Sequence, residues 1–350
     1  MRSPVTIGIV GLENRGGRYA EVFAGLRDCE LRWVCDVDRA PEAAERYPRA
    51  AAAASLDELL ADESLDAIVV AGSLPARVGH VRSALAADKH VLVDGPLSMA
   101  SDDTFDLAER ARERSRCLLV GNGLLFHPAL RKLKETVETG RLGEMLYLYG
   151  NSQGLGEIEK NADALWSLGA REIGAILYLL DDTPVTVSAW GESYLRPGFS
   201  DVVFCLLRFE TGVRAHLHLS WLDPQTVRRL TLVGSRQMAV YDGIPPGRKL
   251  TLFEHSVRTP RISGALETSR IQAGDVVSPA LPDDDPDVLL CQTFLAAVRR
   301  GRPLASEARL AVNVAATLEA LQGSIEAGGS PQPVAPPTAR LQNVIPIGRR

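Results

Sequence analysis

Cysteines are scarce in this chain and none forms a motif. Cys29, Cys35, Cys117, Cys205 and Cys291 are odd in number, scattered, and include no C-x-x-C pair. That argues against a disulfide framework and against the usual zinc spacings; a cytoplasmic, reducing location is expected. No window reaches the roughly 18 consecutive apolar residues of a membrane helix, so no membrane association is expected. Met1-Arg2-Ser3-Pro4 runs straight into a strand-like stretch, without the apolar region and small-residue cleavage site of a secretory signal. A basic excess is missing too: Lys and Arg number 39 against 44 Asp and Glu, a formal net charge of -5. A nucleic-acid partner would need a concentrated basic face, and none is expected.

What is present is ordinary for a globular protein, with 45% apolar and 24% charged residues over 350 positions. That length allows two real cores. Val5 to Val10 is a β-branched run ending at Gly11. A helical pattern follows from about Gly17 to Leu26, then a strand from Glu30 to Cys35 ending in Asp36-Val37-Asp38. Strand, glycine turn, helix, strand with an acidic end is the first unit of a doubly wound sheet. The rhythm repeats through strands at Ala67–Ala71, His90–Val93 and Cys117–Val120, with helices at Leu56, Arg77–Ala87 and Ser101–Ser115. Ser55 with Glu58 reads as a capping box, and Ser101 as an N-cap. Strands alternating with helices predict a parallel sheet covered on both faces.

Near residue 122 the rhythm changes. A helix over Pro128–Thr139 stops at Gly140, and strands of period two follow at 145–150, 185–192, 202–209, 213–221, 229–233 and 238–242. A helix over Ala164–Leu180 interrupts them, and two more, near Asp287–Arg300 and Glu307–Ala327, close the chain. The expected class is α/β: an N-terminal Rossmann dinucleotide-binding domain at 1–122, then an α+β substrate and oligomerisation domain at 123–330 with a mainly antiparallel open sheet. Pro331, Pro333, Pro336 and Pro337 mark 331–350 as an extended tail.

The dinucleotide fingerprint G-x-G-x-x-G needs its first glycine for the turn, its second for approach to the pyrophosphate and its third for helix packing. Here it reads Gly11-Leu12-Glu13-Asn14-Arg15-Gly16, with the second glycine replaced by Glu13. Arg15 and Arg18 are close enough in sequence to offset that carboxylate. Asp36 would bond a ribose 2′-hydroxyl and repel a 2′-phosphate, which favours NAD over NADP. Ser73, Asp94, Pro96 and Asn122, which follow the later strands, join the cofactor-side candidates. Other polar residues carry two readings each. Lys160 and Asp163 precede a helix and either project into a site or are solvated. His127 is a site residue or a cap for the helix at Pro128. His216 and His218, two apart on one strand face, are packing residues or a metal pair lacking a third ligand. His80 lies on a helix of the first domain, and Trp166 reads as core.

Over nearly its whole length the chain resembles the Gfo/Idh/MocA oxidoreductases. The resemblance rests on Ile7–Gly16, Cys35-Asp36-Val37-Asp38, Lys89–Val93 with Pro96, Pro128–Lys134 and Gly140–Glu144. It looks closest to the branch acting on nucleotide-linked sugars, through Ala164-Leu165-Trp166, Ser220–Pro224, Val233–Ser235 and Met238–Asp242. The resemblance implies hydride transfer between a sugar carbon and nicotinamide, and pairing of subunits through the open sheet face. It also implies a Glu-Lys-Pro motif whose lysine acts on the reacting hydroxyl, and a helical Asp-x-x-x-His whose histidine is the base. Here the first is Asp94-Gly95-Pro96, and the second has Ser167 and Arg171. Arginine stays protonated and cannot be a base, though it can hold a phosphate or carboxylate. The catalytic candidates are therefore Arg171, Ser167, Asp94 and Lys160. Three functions stay open. One is an NAD-dependent oxidoreductase on a nucleotide-linked sugar or sugar-like metabolite, a small molecule, with rearranged catalytic groups. Another is a non-redox enzyme (elimination, epimerisation or cyclisation) on the same scaffold. The third is a non-catalytic subunit or sensor.

Overall fold

A computed structural model describes residues 3–13, 15–36, 42, 45–155, 158, 161–258, 270–301, 303–335 and 337. The chain forms two compact units. The first comprises residues 1–126, 284–319 and 335–350, and the second 127–283 and 320–334.

The first unit is built on six parallel strands: β1 (Val5–Val10), β2 (Cys29–Cys35), β3 (Ala51–Ala53), β4 (Ala67–Val70), β5 (His90–Asp94) and β6 (Leu118–Gly121). Their spatial order is β3-β2-β1-β4-β5-β6, which reverses direction at β1. All six residues of β1 are buried, as expected of a strand covered on both sides. The helices are α1 (Arg15–Gly25), α2 (Leu56–Leu60), α3 (Leu74–Ala86) and α4 (Ser101–Glu113). One core layer joins Ile7, Ile9, Tyr19 and Phe23 to Leu290 and Phe294. The other joins Val10, Ile68, Val70, Leu85, Val91 and Leu107. Each such fully buried large side chain contributes about 1.5–3 kcal/mol, and together these layers hold the helices against the sheet.

Caps follow the sequence in part. Ser55 Oγ accepts from the Glu58 amide at 3.4 Å, while the Glu58 carboxylate accepts from Ala54 rather than from Ser55. Ser101 is not the N-cap of α4; Ala100 is, without a side-chain bond. The Ser101 amide and hydroxyl instead donate to the Glu319 carboxylate at 3.1 and 2.6 Å. An acid brought from the far end of the chain thus serves the helix start, where local sequence implied a hydroxyl.

The second unit starts with α5 (Pro128–Glu138). It centres on a mixed sheet containing β7 (Met145–Gln153), β8 (Thr186–Glu192), β9 (Val202–Arg208), β10 (Arg214–Ser220), β11 (Val227–Gly234), β12 (Met238–Asp242) and β13 (Leu250–Phe253). A short ribbon pairs β14 (Ser256–Arg258) with β15 (Arg270–Gln272), and β16 (Val276–Val277) returns to β13. Most pairs are antiparallel, but β10 and β7 run parallel, with His216 opposite Tyr149. The expected helix over 164–180 is split: Leu165–Gly169 is a π turn, and α6 spans Ala170–Leu180. Asp163 organises the split, its carboxylate accepting from the Trp166 amide at 3.0 Å and its carbonyl from the Ser167 amide at 2.9 Å.

Helix α7 (Pro286–Arg300) falls wholly in the first unit, and the boundary lies within α8 (Ala305–Glu326). Asp285 caps α7 by accepting from the Asp287 amide at 2.8 Å, with Pro286 at the first position and Gly301 at φ +57° closing it. The tail begins as β17 (Gln332–Pro333), paired to the edge strand β8. Val334 extends the pairing by donating to the Val185 carbonyl at 3.1 Å.

Candidate functional site

In the first unit the site grows from the β1 turn. Gly11 sits at φ +84°, and a Cβ there would lie 2.6 Å from the Gly72 amide nitrogen. A Cβ on Gly16 would lie 1.9 Å from the Gly11 carbonyl oxygen. Both positions therefore require glycine. Glu13 is different: it is not among the positive-φ residues, its carbonyl accepts from the Gly16 amide at 2.9 Å, and it is exposed. The replaced second glycine leaves the turn unstrained. Asp36 Oδ2 accepts from the Leu12 amide at 2.8 Å, tying the acidic end of β2 to the turn. This backbone cradle fits a dinucleotide. Asn14 lies outside the described residues.

Arg15 and Arg18 do not offset Glu13. Arg15 makes a bidentate pair with Asp287 at 2.7 and 3.1 Å, and Arg18 pairs with Asp285. The acids at the start of α7 lie far away in sequence, so the pairing was invisible there. Arg15 also approaches Asp94 at 3.6 Å and donates to the Tyr19 hydroxyl at 3.2 Å. Tyr19 in turn donates to Asp94 Oδ1 at 3.1 Å. On the other side Arg77 reaches Asp94 Oδ2 at 3.3 Å, and its Nη1 donates to the carbonyls of Asp94 and Pro96, both at 2.7 Å. Asp94 is thus held by two guanidinium groups and a phenol. It is fixed as a hydrogen-bond acceptor.

Gly95 is more than a missing side chain. Its amide donates to the Gly121 carbonyl at 3.1 Å, and a Cβ would come within 2.8 Å of that same oxygen. The backbone has closed over the place a side chain would leave from. Asn122 Oδ1 accepts from the Leu124 amide at 3.2 Å, starting the 3-10 turn Gly123–Phe126. Ser73 precedes α3 without a side-chain capping bond.

In the second unit, Ser152, Arg171, Glu172 and Arg228 converge. Ser152 on β7 and Arg228 on β11 are direct register partners. Arg171 Nη2 donates to Ser152 Oγ at 3.2 Å and to Glu172 Oε1 at 2.8 Å, with Nε on the same oxygen at 3.1 Å. Glu172 is 3% exposed. Tyr241 belongs to the same cluster; burial and then Glu172 push its hydroxyl up to about 12. Ser167, on the π turn, holds a buried Oγ with no hydrogen-bond partner among the described residues. Sequence reasoning found Ser167 and Arg171 but missed Glu172, Arg228, Ser152 and Tyr241. Only strand register brings Ser152 and Arg228 together.

The remaining candidates separate. His127 Nδ1 accepts from the Ala129 amide at 3.1 Å as the cap of α5, and its ring meets Tyr241 edge-on at 5.5 Å. Burial and then Lys249 lower its pKa. His216 stacks on Tyr149 at 5.3 Å, and His218 stacks on Phe204 at 4.4 Å while contacting Gln153. Burial lowers the His80 pKa, and its Nδ1 has no hydrogen-bond partner among the described residues. Asp163 is raised by burial, and Trp166 is core, donating to Gln322 at 3.3 Å. Lys160 lies outside the described residues.

Family models agree with this reading. Residues 5–122 match the GFO_IDH_MocA model, described as "Oxidoreductase family, NAD-binding Rossmann fold", and residues 130–240 match the GFO/IDH/MocA C-terminal domain. The chain belongs to the Gfo/Idh/MocA oxidoreductase family. Its first unit is that family's NAD-binding Rossmann domain. Among similar proteins is a dTDP-3,4-didehydro-2,6-dideoxy-alpha-D-glucose 3-reductase of Saccharopolyspora spinosa, 28% identical over 80% of this chain and 86% of that enzyme. A myo-inositol 2-dehydrogenase of Thermotoga maritima is 27% identical over 59% of this chain, and the match spans 65% of that enzyme, just under two thirds. Among solved structures, GenD2 from gentamicin A biosynthesis in complex with NAD superposes with a TM-score of 0.80 at 22% identity, covering 96% of this chain and 97% of that one. That likeness carries the fold. Among the described residues, no helix is long and apolar enough to cross a membrane.

Proposed function

We propose that this chain is an NAD-dependent oxidoreductase acting on a sugar or sugar-like metabolite, nucleotide-linked sugars included, through rearranged site groups. The observation that carries this is the β1 turn. Gly11 and Gly16 are held where only glycine fits, and Asp36 is bound to the turn it would serve. A scaffold released from cofactor binding has no need of all three. The nicotinamide, when bound, accepts or donates a hydride. The turn amides and Asp36 would hold the dinucleotide, and Asp36 disfavours a 2′-phosphate. Asp94 supplies a fixed acceptor. Arg171 stays protonated and so positions an oxygen of the substrate rather than taking its proton.

The chain is further proposed to act in the cytoplasm as a homo-oligomer. The exposed face of the second unit's sheet offers Trp190 at 56%, Phe204 at 49% and Leu206 at 46% exposure, an apolar patch suited to a second copy.

The test is calorimetric titration with NAD, NADH, NADP and NADPH, after assaying for cofactor carried through purification. Tighter binding of the NAD pair is expected. Absence of both binding and carry-over would sink the oxidoreductase reading. A second reading has its own support in the closed backbone at Gly95 and the cation at position 171. It is a non-redox enzyme, or a non-catalytic subunit, on the same fold. Turnover with a bound cofactor but no net change at the nicotinamide absorbance band would favour it.

A further inference from the structure

We infer that the polar end of the second unit's sheet recognises an anionic oxygen group, a carboxylate or a phosphate, on a polyhydroxylated substrate, with Arg228 as its anchor. This rests on the reading above that the chain acts on a sugar-like metabolite, and it adds that the metabolite is charged.

The geometry starts with the strands. Ser152 and Arg228 face each other across β7 and β11, so their side chains rise from the same sheet face. Ser152 is fully buried, and its Oγ accepts from Arg171 Nη2 at 3.2 Å, which holds the two side chains together on this face. Arg228 is half-buried. Its Nη1 donates to the carbonyls of Gln153 at 2.6 Å and Val227 at 2.9 Å. Those two bonds fix the guanidinium against the backbone. They leave Nε and Nη2 with no partner among the described residues. A planar fork locked at one end and open at the other suits a two-oxygen anion.

Charge points the same way. The buried Glu172 carboxylate accepts from Nε and Nη2 of Arg171. Arg228 has no carboxylate within ion-pair distance among the described residues. Its cation is disfavoured first by burial and then by Arg171, with Glu172 only partly compensating. A half-buried cation in that position costs free energy that an arriving anion returns. The open end of the Arg228 guanidinium offers donors only, and it is matched best by an oxygen pair that carries negative charge.

The experiment uses the full chain with NAD present and titrates D-glucuronate, D-glucose 6-phosphate and D-glucose by calorimetry. At least one charged sugar should bind tenfold or more tighter than D-glucose, and which one does so separates carboxylate from phosphate. Arg228→Gln should erase that margin. Arg228→Lys, which keeps the charge and loses the fork, should keep part of it and guards against a variant that simply unfolds. Equal binding of charged and neutral sugars, no binding of either anion, or an undiminished margin in Arg228→Gln would overturn the inference. The NAD titration is read separately. NAD binding without anion preference defeats only this inference. Anion preference without NAD binding defeats only the oxidoreductase reading.

Discussion

The two units treat their arginines in opposite ways. In the first, every cation around the β1 turn has its own carboxylate: Arg15 has Asp287, Arg18 has Asp285, and Arg77 has Asp94. In the second, Arg171 and Arg228 lie near one buried Glu172, which bonds only the former. A fully paired network is finished structure; it fixes backbone and resists change. An under-neutralised one is available to a ligand. The contrast teaches where binding remains to be done.

The largest effect is expected at Asp94. Its side chain is 14% exposed and that of Arg77 11%. Asp94→Ala would strand Arg77 and weaken the hold on Arg15. Removing one partner of such a buried pair costs about 3–5 kcal/mol. Urea denaturation should show that loss with an unchanged slope. A loss below about 1 kcal/mol would mean the first unit is not the rigid, fully paired member of the comparison.

Next comes a pH effect in the same unit. His90 is 7% exposed, its Nδ1 accepts from the Cys117 amide at 2.9 Å, and burial together with Arg116 pushes its pKa down to about 4, with Asp66 opposing. Glu63, Asp88 and Lys89 also line the cavity beside it, about 410 Å³ in volume. Between pH 6.5 and about 4 the unfolded chain takes up a proton that the folded chain refuses. Stability is therefore full above pH 6.5 and falls as pH drops through that window, by about 3 kcal/mol in all. Denaturation midpoints measured from pH 7 to 4 should show this slope, and His90→Gln should flatten it.

Much of this was legible in sequence, and the failures have physical reasons. The parallel sheet was readable because β1, β4 and β5 are continuous apolar runs broken by glycine. The cap at Ser55 was readable because its partner is three residues away. What could not be read depends on distant chain. Glu319 serving Ser101, Asp285 and Asp287 taking Arg18 and Arg15, and Arg228 facing Ser152 are separations of scores to hundreds of residues. The π turn at Leu165–Gly169 also escaped, because apolar periodicity does not register one inserted residue. At the candidate site, replacements were visible as letters, but Gly95 shows the limit. The resemblance implies a lysine lost; the structure puts the Gly121 carbonyl oxygen 2.8 Å from where a Cβ at position 95 would stand.

That carbonyl yields the third prediction. Gly95→Ala places a Cβ about 2.8 Å from the Gly121 oxygen, so the β5–β6 pairing must shift. Overpacking of that kind costs about 1–3 kcal/mol, and a lysine would cost at least as much as the alanine. A thermal midpoint unchanged in Gly95→Ala would show that the backbone yields easily and that the first unit could take the lysine back.

The smallest stability effect, and the sharpest test of the contrast, is Glu172→Gln. The glutamine keeps the shape and a carbonyl acceptor for Arg171, while the buried negative charge is removed. Arg171 is 40% exposed in its side chain, so water can solvate what the carboxylate releases. Burying a neutral amide in place of a carboxylate also lowers the desolvation cost. The stability change is expected to stay within about 1 kcal/mol, far less than for Asp94→Ala, although both substitutions remove a carboxylate that pairs with arginine. The binding consequence runs the other way. With Glu172 neutral, the charge that partly compensates Arg228 is gone, and affinity for the charged sugar should rise severalfold while affinity for D-glucose stays level. A large stability loss would place Glu172 with Asp94 as finished structure, and the two units would then differ in residue names alone.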